Sequence, residues 1–195
     1  MAGIYVHIPF CKSRCRYCDF FSTTQLERRE DYAHAIIAEF NDRLHLLTEP
    51  IHTIYFGGGT PSLLHPEAIE GLISHADTLF DLSDVEEITI EANPDDLTQE
   101  YVAALRDTRI NRLSLGIQSF DDRILKFMNR RHTASEAERA VERLRRAGID
   151  NISIDLIFGI SGFEGDHLGE SLRRALALDV EHISAYHLTI EENTR

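Results

Sequence analysis

Ile51-His52-Thr53-Ile54-Tyr55-Phe56-Gly57-Gly58-Gly59-Thr60-Pro61-Ser62 changes character in the middle. Residues 51–56 are an apolar run rich in β-branched and aromatic side chains, which predicts a strand. The run stops on three glycines and a Pro-Ser pair, residues that build loops. Residues 66–79 then read as a helix, with Pro66 suited to its first turn. Strand, loop and helix make one βα unit.

The same grammar extends in both directions. Strands are expected over 3–8, 51–56, 87–92, 110–116, 152–158 and 182–188. Helices are expected over 27–47, 66–79, 98–105, 135–147 and 166–178, with a longer, partly helical connection after the fourth strand. The first helix carries Tyr32, Ile36, Phe40, Leu44 and Leu47 on one face. Thr98 is a suitable N-cap, and Gly148 a suitable helix stop. Such alternation predicts an α/β fold, a parallel sheet covered by helices. A complete eight-unit barrel typically needs about 250 residues. Six βα units of roughly 30 residues fill this chain. The expected architecture is an open, partial (β/α)6 TIM-like barrel, with a flat doubly wound sheet as the alternative. No low-complexity segment or linker divides residues 1–195, so one domain is expected. Residues 189–195 are polar and follow the last strand without another helix. The chain is therefore expected to be part of a longer protein.

Composition excludes some functions. The 195 residues are 43% hydrophobic and 27% charged, ordinary for a globular protein. The net charge of −13 argues against general nucleic-acid binding and against docking on anionic lipid. No apolar stretch approaches the roughly 20 residues of a membrane helix. The N-terminus enters a strand-like run, with no targeting peptide, and a reducing cytoplasmic location is expected.

All 3 cysteines lie close together: Cys11, Cys15 and Cys18, spaced C-x3-C-x2-C. A disulfide is disfavoured by the odd number and the short spacing. Structural zinc with His7 as a fourth ligand is one reading, although zinc motifs usually separate two ligand pairs. The other is an iron–sulfur cluster. Cubane clusters usually take four thiolates, so three leave one iron open to a small molecule. In parallel α/β folds, chemistry collects at the C-terminal ends of the strands. Those ends lead here to the cysteines, the triple glycine, Glu91 and Asn93, Gln118 and Ser119, Asp155, and Tyr186 and His187.

These residues resemble a known family. Cys11-x3-Cys15-x2-Cys18 is similar to the signature of the radical S-adenosylmethionine (SAM) superfamily. Tyr5-Val-His-Ile-Pro-Phe-Cys, Gly57-Gly-Gly-Thr-Pro-Ser, Glu91-Ala-Asn-Pro, Gly116-Ile-Gln-Ser-Phe and Ser153-Ile-Asp-Leu-Ile-Phe-Gly resemble one branch, that of oxygen-independent coproporphyrinogen III oxidases and HemW-type heme chaperones. The resemblance implies a [4Fe-4S] cluster on Cys11, Cys15 and Cys18, with SAM on the open iron. Reductive cleavage of SAM would yield a 5′-deoxyadenosyl radical. The implied SAM contacts are Gly57, Gly58, Gly59, Thr60, Glu91, Gln118, Arg130 and Asp155, with Tyr5 and Phe20 walling the cluster or the adenine. Arg130 matches the carboxylate-binding arginine, through bidentate bonds, and Asp155 suits ribose hydroxyls. The early cysteine loop and the Tyr-Cys-Asp-Phe sequence favour the chaperone type, which implies heme as cargo and a heme-accepting partner. The alternative is porphyrinogen oxidation. HemW-type chains continue into a further domain with a His-Asn-x-x-Tyr-Trp segment. This chain has no tryptophan, so the resemblance implies an N-terminal core portion.

Overall fold

The computed structural model describes residues 2–189. Strands β1 (Ala2–Ile8), β2 (Ile51–Gly58), β3 (Glu87–Ala92), β4 (Arg112–Gln118), β5 (Ile152–Phe158) and β6 (His182–His187) form one sheet in chain order. Every neighbouring pair is parallel. Each connection therefore moves one strand onward in the same direction. Parallel crossovers are right-handed, so the helices collect on one face and the sheet curls about the other. A doubly wound sheet needs a reversal of strand order, and the described strands have none. Among the described residues β1 and β6 do not pair, so the α/β sheet is an open, partial (β/α)6 barrel, as expected.

The helices are α1 (Arg29–Arg43), α2 (Pro66–Leu79), α3 (Gln99–Leu105), α4 (Asp122–Phe127), α5 (Ala134–Arg146) and α6 (His167–Ala177). Alternation along the strands decides what they cover. Val6, Ile8, Ile54, Phe56, Ile88, Ile90, Leu113, Leu115, Ile152 and Ile154 share one core with Ile69 and Leu72 of α2, Val102 of α3 and Val141 and Leu144 of α5. Ile90 and Leu113 are fully buried. Each such side chain contributes roughly 2 kcal/mol by leaving water. The alternate positions face the concave side. They include Tyr55, Glu87, Thr89, Glu91, Arg112, Ser114 and Asp155, and they bond one another across strands. A period of two thus sends apolar side chains to the helices and polar ones to the site.

Most expected elements are present within two residues. Thr98 accepts from the Tyr101 amide at 3.1 Å, and Gly148 ends α5 with φ +80. Three differences have local causes. The first helix is shorter than 27–47, because 3-10 turns at Leu26–Arg28 and Leu44–Leu46 flank α1. Of its expected face only Ile36 is buried, and Leu44 is exposed. No glycine or proline marks that end before Pro50, and residues 41–46 around it are exposed. The fourth strand begins at Arg112 because Ile110 enters the core from the preceding loop. The connection after β4 holds α4, capped by Asp121, and α5 starts at a Thr133–Glu136 capping box. After Thr189, the polar tail of the chain lies outside the described residues.

Candidate functional site

A cavity of about 600 Å³ opens at the C-terminal ends of the strands. The three cysteines line it, together with Gly58, Gly59, Thr60, Glu91, Asn93, Gln118, Arg130, Asp155, Tyr186 and His187. Residues from every strand end therefore meet, although they are scattered through the sequence.

The cysteine loop is closed at its base. The Cys11 amide donates to the Thr23 carbonyl at 2.9 Å, and the Thr23 amide donates to the Pro9 carbonyl at 2.7 Å. Its far side is held by residues after β4. Asn129 Nδ2 donates to the Arg14 carbonyl at 2.8 Å, and the Arg16 amide donates to the Met128 carbonyl at 3.2 Å. All three thiols are free. Thr60 Oγ1 lies 3.6 Å from Cys11 Sγ, and an Arg130 guanidinium nitrogen lies 3.3 Å from Cys15 Sγ. Burial pushes the Cys11 and Cys18 thiols up from their ordinary value. A metal that takes these sulfurs must displace their protons.

Two carboxylates face the cavity from the concave side. Glu91 accepts from Tyr55 Oη at 2.8 Å and from the Gly58 amide at 3.0 Å. Asp155 accepts from Ser114 Oγ at 3.4 Å. Burial, more than any neighbour, raises both above the usual carboxylate range. Each retains acceptor capacity for an ammonium or a hydroxyl. Gly58 adopts φ +115, which favours glycine, and a Cβ there would meet the His7 ring at 2.5 Å. Gly59 needs no special φ. Its constraint is space, because a Cβ would lie 2.7 Å from the Pro9 carbonyl carbon and 2.8 Å from the Phe10 oxygen. Arg130 is drawn inward to Cys15, Asn93 Oδ1 and the Gly116 carbonyl. Its Nε is buried without a partner, while the residue also lines the cavity.

Some expected site residues lie elsewhere. Tyr5 does not line the cavity and is 59% exposed. It lies on the concave face three residues before the end of β1, about 10 Å below the mouth at the usual strand rise, and stacks on Tyr55 at 6.0 Å. Gly57 is buried beneath the lining, where a Cβ would strike the Tyr55 and Tyr5 rings. It makes room for those rings. Phe20 reaches the rim but is 73% exposed, so it walls little by itself. His7 supports the loop, with Nδ1 at Tyr5 Oη and Nε2 on the Phe21 carbonyl. That engagement takes it away from a zinc role.

Sequence reasoning missed several members. Tyr17, Asn129 and Arg131 line the cavity, as does Asp95. Behind the wall, Asp96 bonds Lys12, Ser62 and Arg131. The available signal was adjacency: Lys12 follows Cys11, Arg131 follows Arg130, and Asp95-Asp96 follows Asn93-Pro94.

The donor set fits a cluster with SAM. Among the described residues no three His, Cys, Asp or Glu groups converge on a single ion. A cubane does not require that, since each thiolate takes a different iron. The comparisons agree with the chemistry. A profile described as the Radical SAM superfamily matches residues 5–175. The heme chaperone HemW of Lactococcus lactis subsp. lactis is 39% identical over 191 residues, covering 97% of this chain and 50% of that protein. HemW of Bacillus subtilis is 39% identical over 197 residues, covering 100% of this chain and 52% of that protein. Coproporphyrinogen III oxidase (HemN) from Escherichia coli, a solved radical SAM enzyme, aligns with a TM-score of 0.85 at 28% identity, covering 96% of this chain and 44% of its own. The chain spans about half the length of the curated relatives it matches. With an unclosed parallel barrel, three free cysteines at its mouth and a profile match over most of its length, the chain belongs to the radical SAM superfamily.

Proposed function

We propose that this chain is the cluster-bearing core of a heme chaperone. It holds a [4Fe-4S] cluster on Cys11, Cys15 and Cys18 with SAM at the remaining iron, binds heme, and passes it to an acceptor protein. Residues 1–195 act as one core domain of a longer cytoplasmic protein. The acceptor and the electron donor are separate proteins. The observation that carries this reading is the meeting of three free thiols with Gly58, Glu91, Arg130 and Asp155 around one cavity. Likeness to HemW over nearly the whole chain supports heme as the cargo.

When bound, the reduced cluster supplies an electron to the sulfonium of SAM. The chain's own residues bind and orient. Glu91, held by Tyr55 and Gly58, receives the ammonium of the methionine moiety. Arg130, on the cavity lining, offers its guanidinium to the carboxylate of that moiety. Asp155, steadied by Ser114, accepts the ribose hydroxyls. Gly58 and Gly59 let the backbone approach the ligand closely. Phe20 and Tyr186 present aromatic surface at the rim for a planar macrocycle.

The HemN likeness favours a second reading, anaerobic oxidative decarboxylation of coproporphyrinogen III. Anaerobic reconstitution with iron and sulfide, followed by SAM with either heme or coproporphyrinogen III, separates the two. Heme binding and transfer to an apo-heme protein, without porphyrinogen turnover, is expected. Protoporphyrinogen IX formation would establish the oxidase. Failure to retain iron would overturn both.

A further inference from the structure

The geometry points to Asp96 as a positioning residue that holds the cysteine loop in register with the rest of the site. This rests on the cluster reading above. Asp96 lies behind the cavity wall, in the 3-10 turn Pro94–Asp96 that follows β3. Its side chain is only 3% exposed. Lys12 Nζ donates to its Oδ1 at 2.7 Å, and Ser62 Oγ to its Oδ2 at 3.1 Å. Arg131 adds a guanidinium nitrogen at 3.2 Å and spends another on Asp95 at 2.7 Å.

Each partner sits beside a residue of the site. Lys12 follows Cys11, Arg131 follows Arg130, and Ser62 is two residues after Thr60, whose hydroxyl meets Cys11 Sγ. Ser62 Oγ also accepts from the Asn93 amide at 3.3 Å. One carboxylate therefore ties together the segments after β1, β2 and β4, from its own place after β3. Buried charge is costly unless paired and bonded, so the group holds its partners instead of turning to water. The contacts span up to 84 positions in sequence and touch no ligand. Their consequence is where Cys11 and Arg130 stand before iron arrives.

The test compares Asp96→Asn, Lys12→Met, Lys12→Arg and the Asp96→Asn/Lys12→Met double variant after anaerobic reconstitution. The readouts are iron per chain, the rate of iron loss to a ferrous chelator, and the change that SAM produces in the electron paramagnetic resonance signal of the reduced cluster. Asp96→Asn should lose iron about 10-fold faster, in the range seen when supports behind metal ligands are removed. Lys12→Met should lose it about 3-fold faster, as fits a half-exposed partner. Lys12→Arg should restore the wild-type rate, and the double variant should be no worse than Asp96→Asn. If Asp96→Asn fails to fold, the Lys12 pair decides. Wild-type loss rates and SAM response in Lys12→Met, or simple additivity in the double variant, would overturn the proposal. A wild-type chain that never retains iron would instead sink the cluster reading.

Discussion

The segments after β1–β4 and the strand β6 border the same mouth but are built differently. The first group is cross-tied: Asn93 Nδ2 donates to Thr60 Oγ1, Asn129 reaches the cysteine loop, and Asp96 gathers three segments. β6 is exposed or half-exposed along its whole length. Tyr186 is 56% exposed, and the His187 ring rests edge-on against Phe158 at 5.3 Å. β6 is paired with β5 at every residue from His182 to His187. Under the proposed function, the tied side is prepared for a small charged cofactor, and Tyr186 of β6 offers a ring to the cargo.

The strongest way to break this contrast is to remove a thiol from the tied side. Alanine at Cys11, Cys15 or Cys18 should bring iron retention after reconstitution to background and abolish SAM cleavage with it. Full iron content in any one of the three would end the three-thiolate account. A second change attacks the same side without touching a ligand. A methyl group on Gly59 would press on the backbone of Pro9 and Phe10, which cannot rotate away as a side chain would. Gly59→Ala should cost about 2–3 kcal/mol of stability and displace the cysteine loop. Chemical denaturation and iron content would both register it, and an unchanged midpoint would show that the loop base has slack.

The contrast also explains what could be read in advance. β3 and β5 are found at the expected residues because each alternates apolar with polar side chains and ends at a turn residue, Asn93 or Gly159. The three cysteines, Glu91, Asp155, Gly58 and Gly59 were legible as lining residues because local spacing, a strand end or an acid inside an apolar strand marks them. Asp96 was not. Its charge looks like one solvated acid among 33 Asp and Glu, and its partner Lys12 is 84 positions away. Tyr5 misled for the opposite reason. It belongs to a motif beside the cysteines, but strand rise places its ring below the mouth. Local pattern names an element, and only the closed geometry names a tie between elements.

Acid should loosen the tied side through His132, which is 3% exposed beneath the end of β4. Its Nε2–H donates to the Ile117 carbonyl at 3.1 Å, and its Nδ1 is buried without a partner. A second proton would have to sit on Nδ1. Burial, and then the Arg130 charge, lowers this group from 6.5 to about 4. Between those values the unfolded chain binds a proton that the folded chain refuses. The stabilisation is therefore complete above pH 6.5, is lost as pH falls toward 4, and changes no further below that. The loss is at most about 3 kcal/mol. Glu91, Asp155 and Asp95 are raised by burial and gain in the opposite direction, so the informative quantity is a difference. Unfolding free energies of wild type and His132→Gln, measured from pH 7 to 4, should converge as pH falls. Parallel curves would remove His132 as the acid-sensitive point.

The smallest stability change is expected at β6, and it tests whether the exposed ring of Tyr186 is functional. Tyr186 is too exposed to contribute much to folding, so Tyr186→Ala should shift stability by less than about 0.5 kcal/mol and leave iron content unchanged. If its ring meets the cargo, heme affinity should fall about 5-fold, the loss typical of an aromatic contact in a binding surface. A titration followed in the heme absorption band, beside a denaturation curve, reads both. A large stability loss with unaltered heme binding would mean that β6 is packed more firmly than its exposure suggests. The two sides of the mouth would then differ in accessibility but not in task.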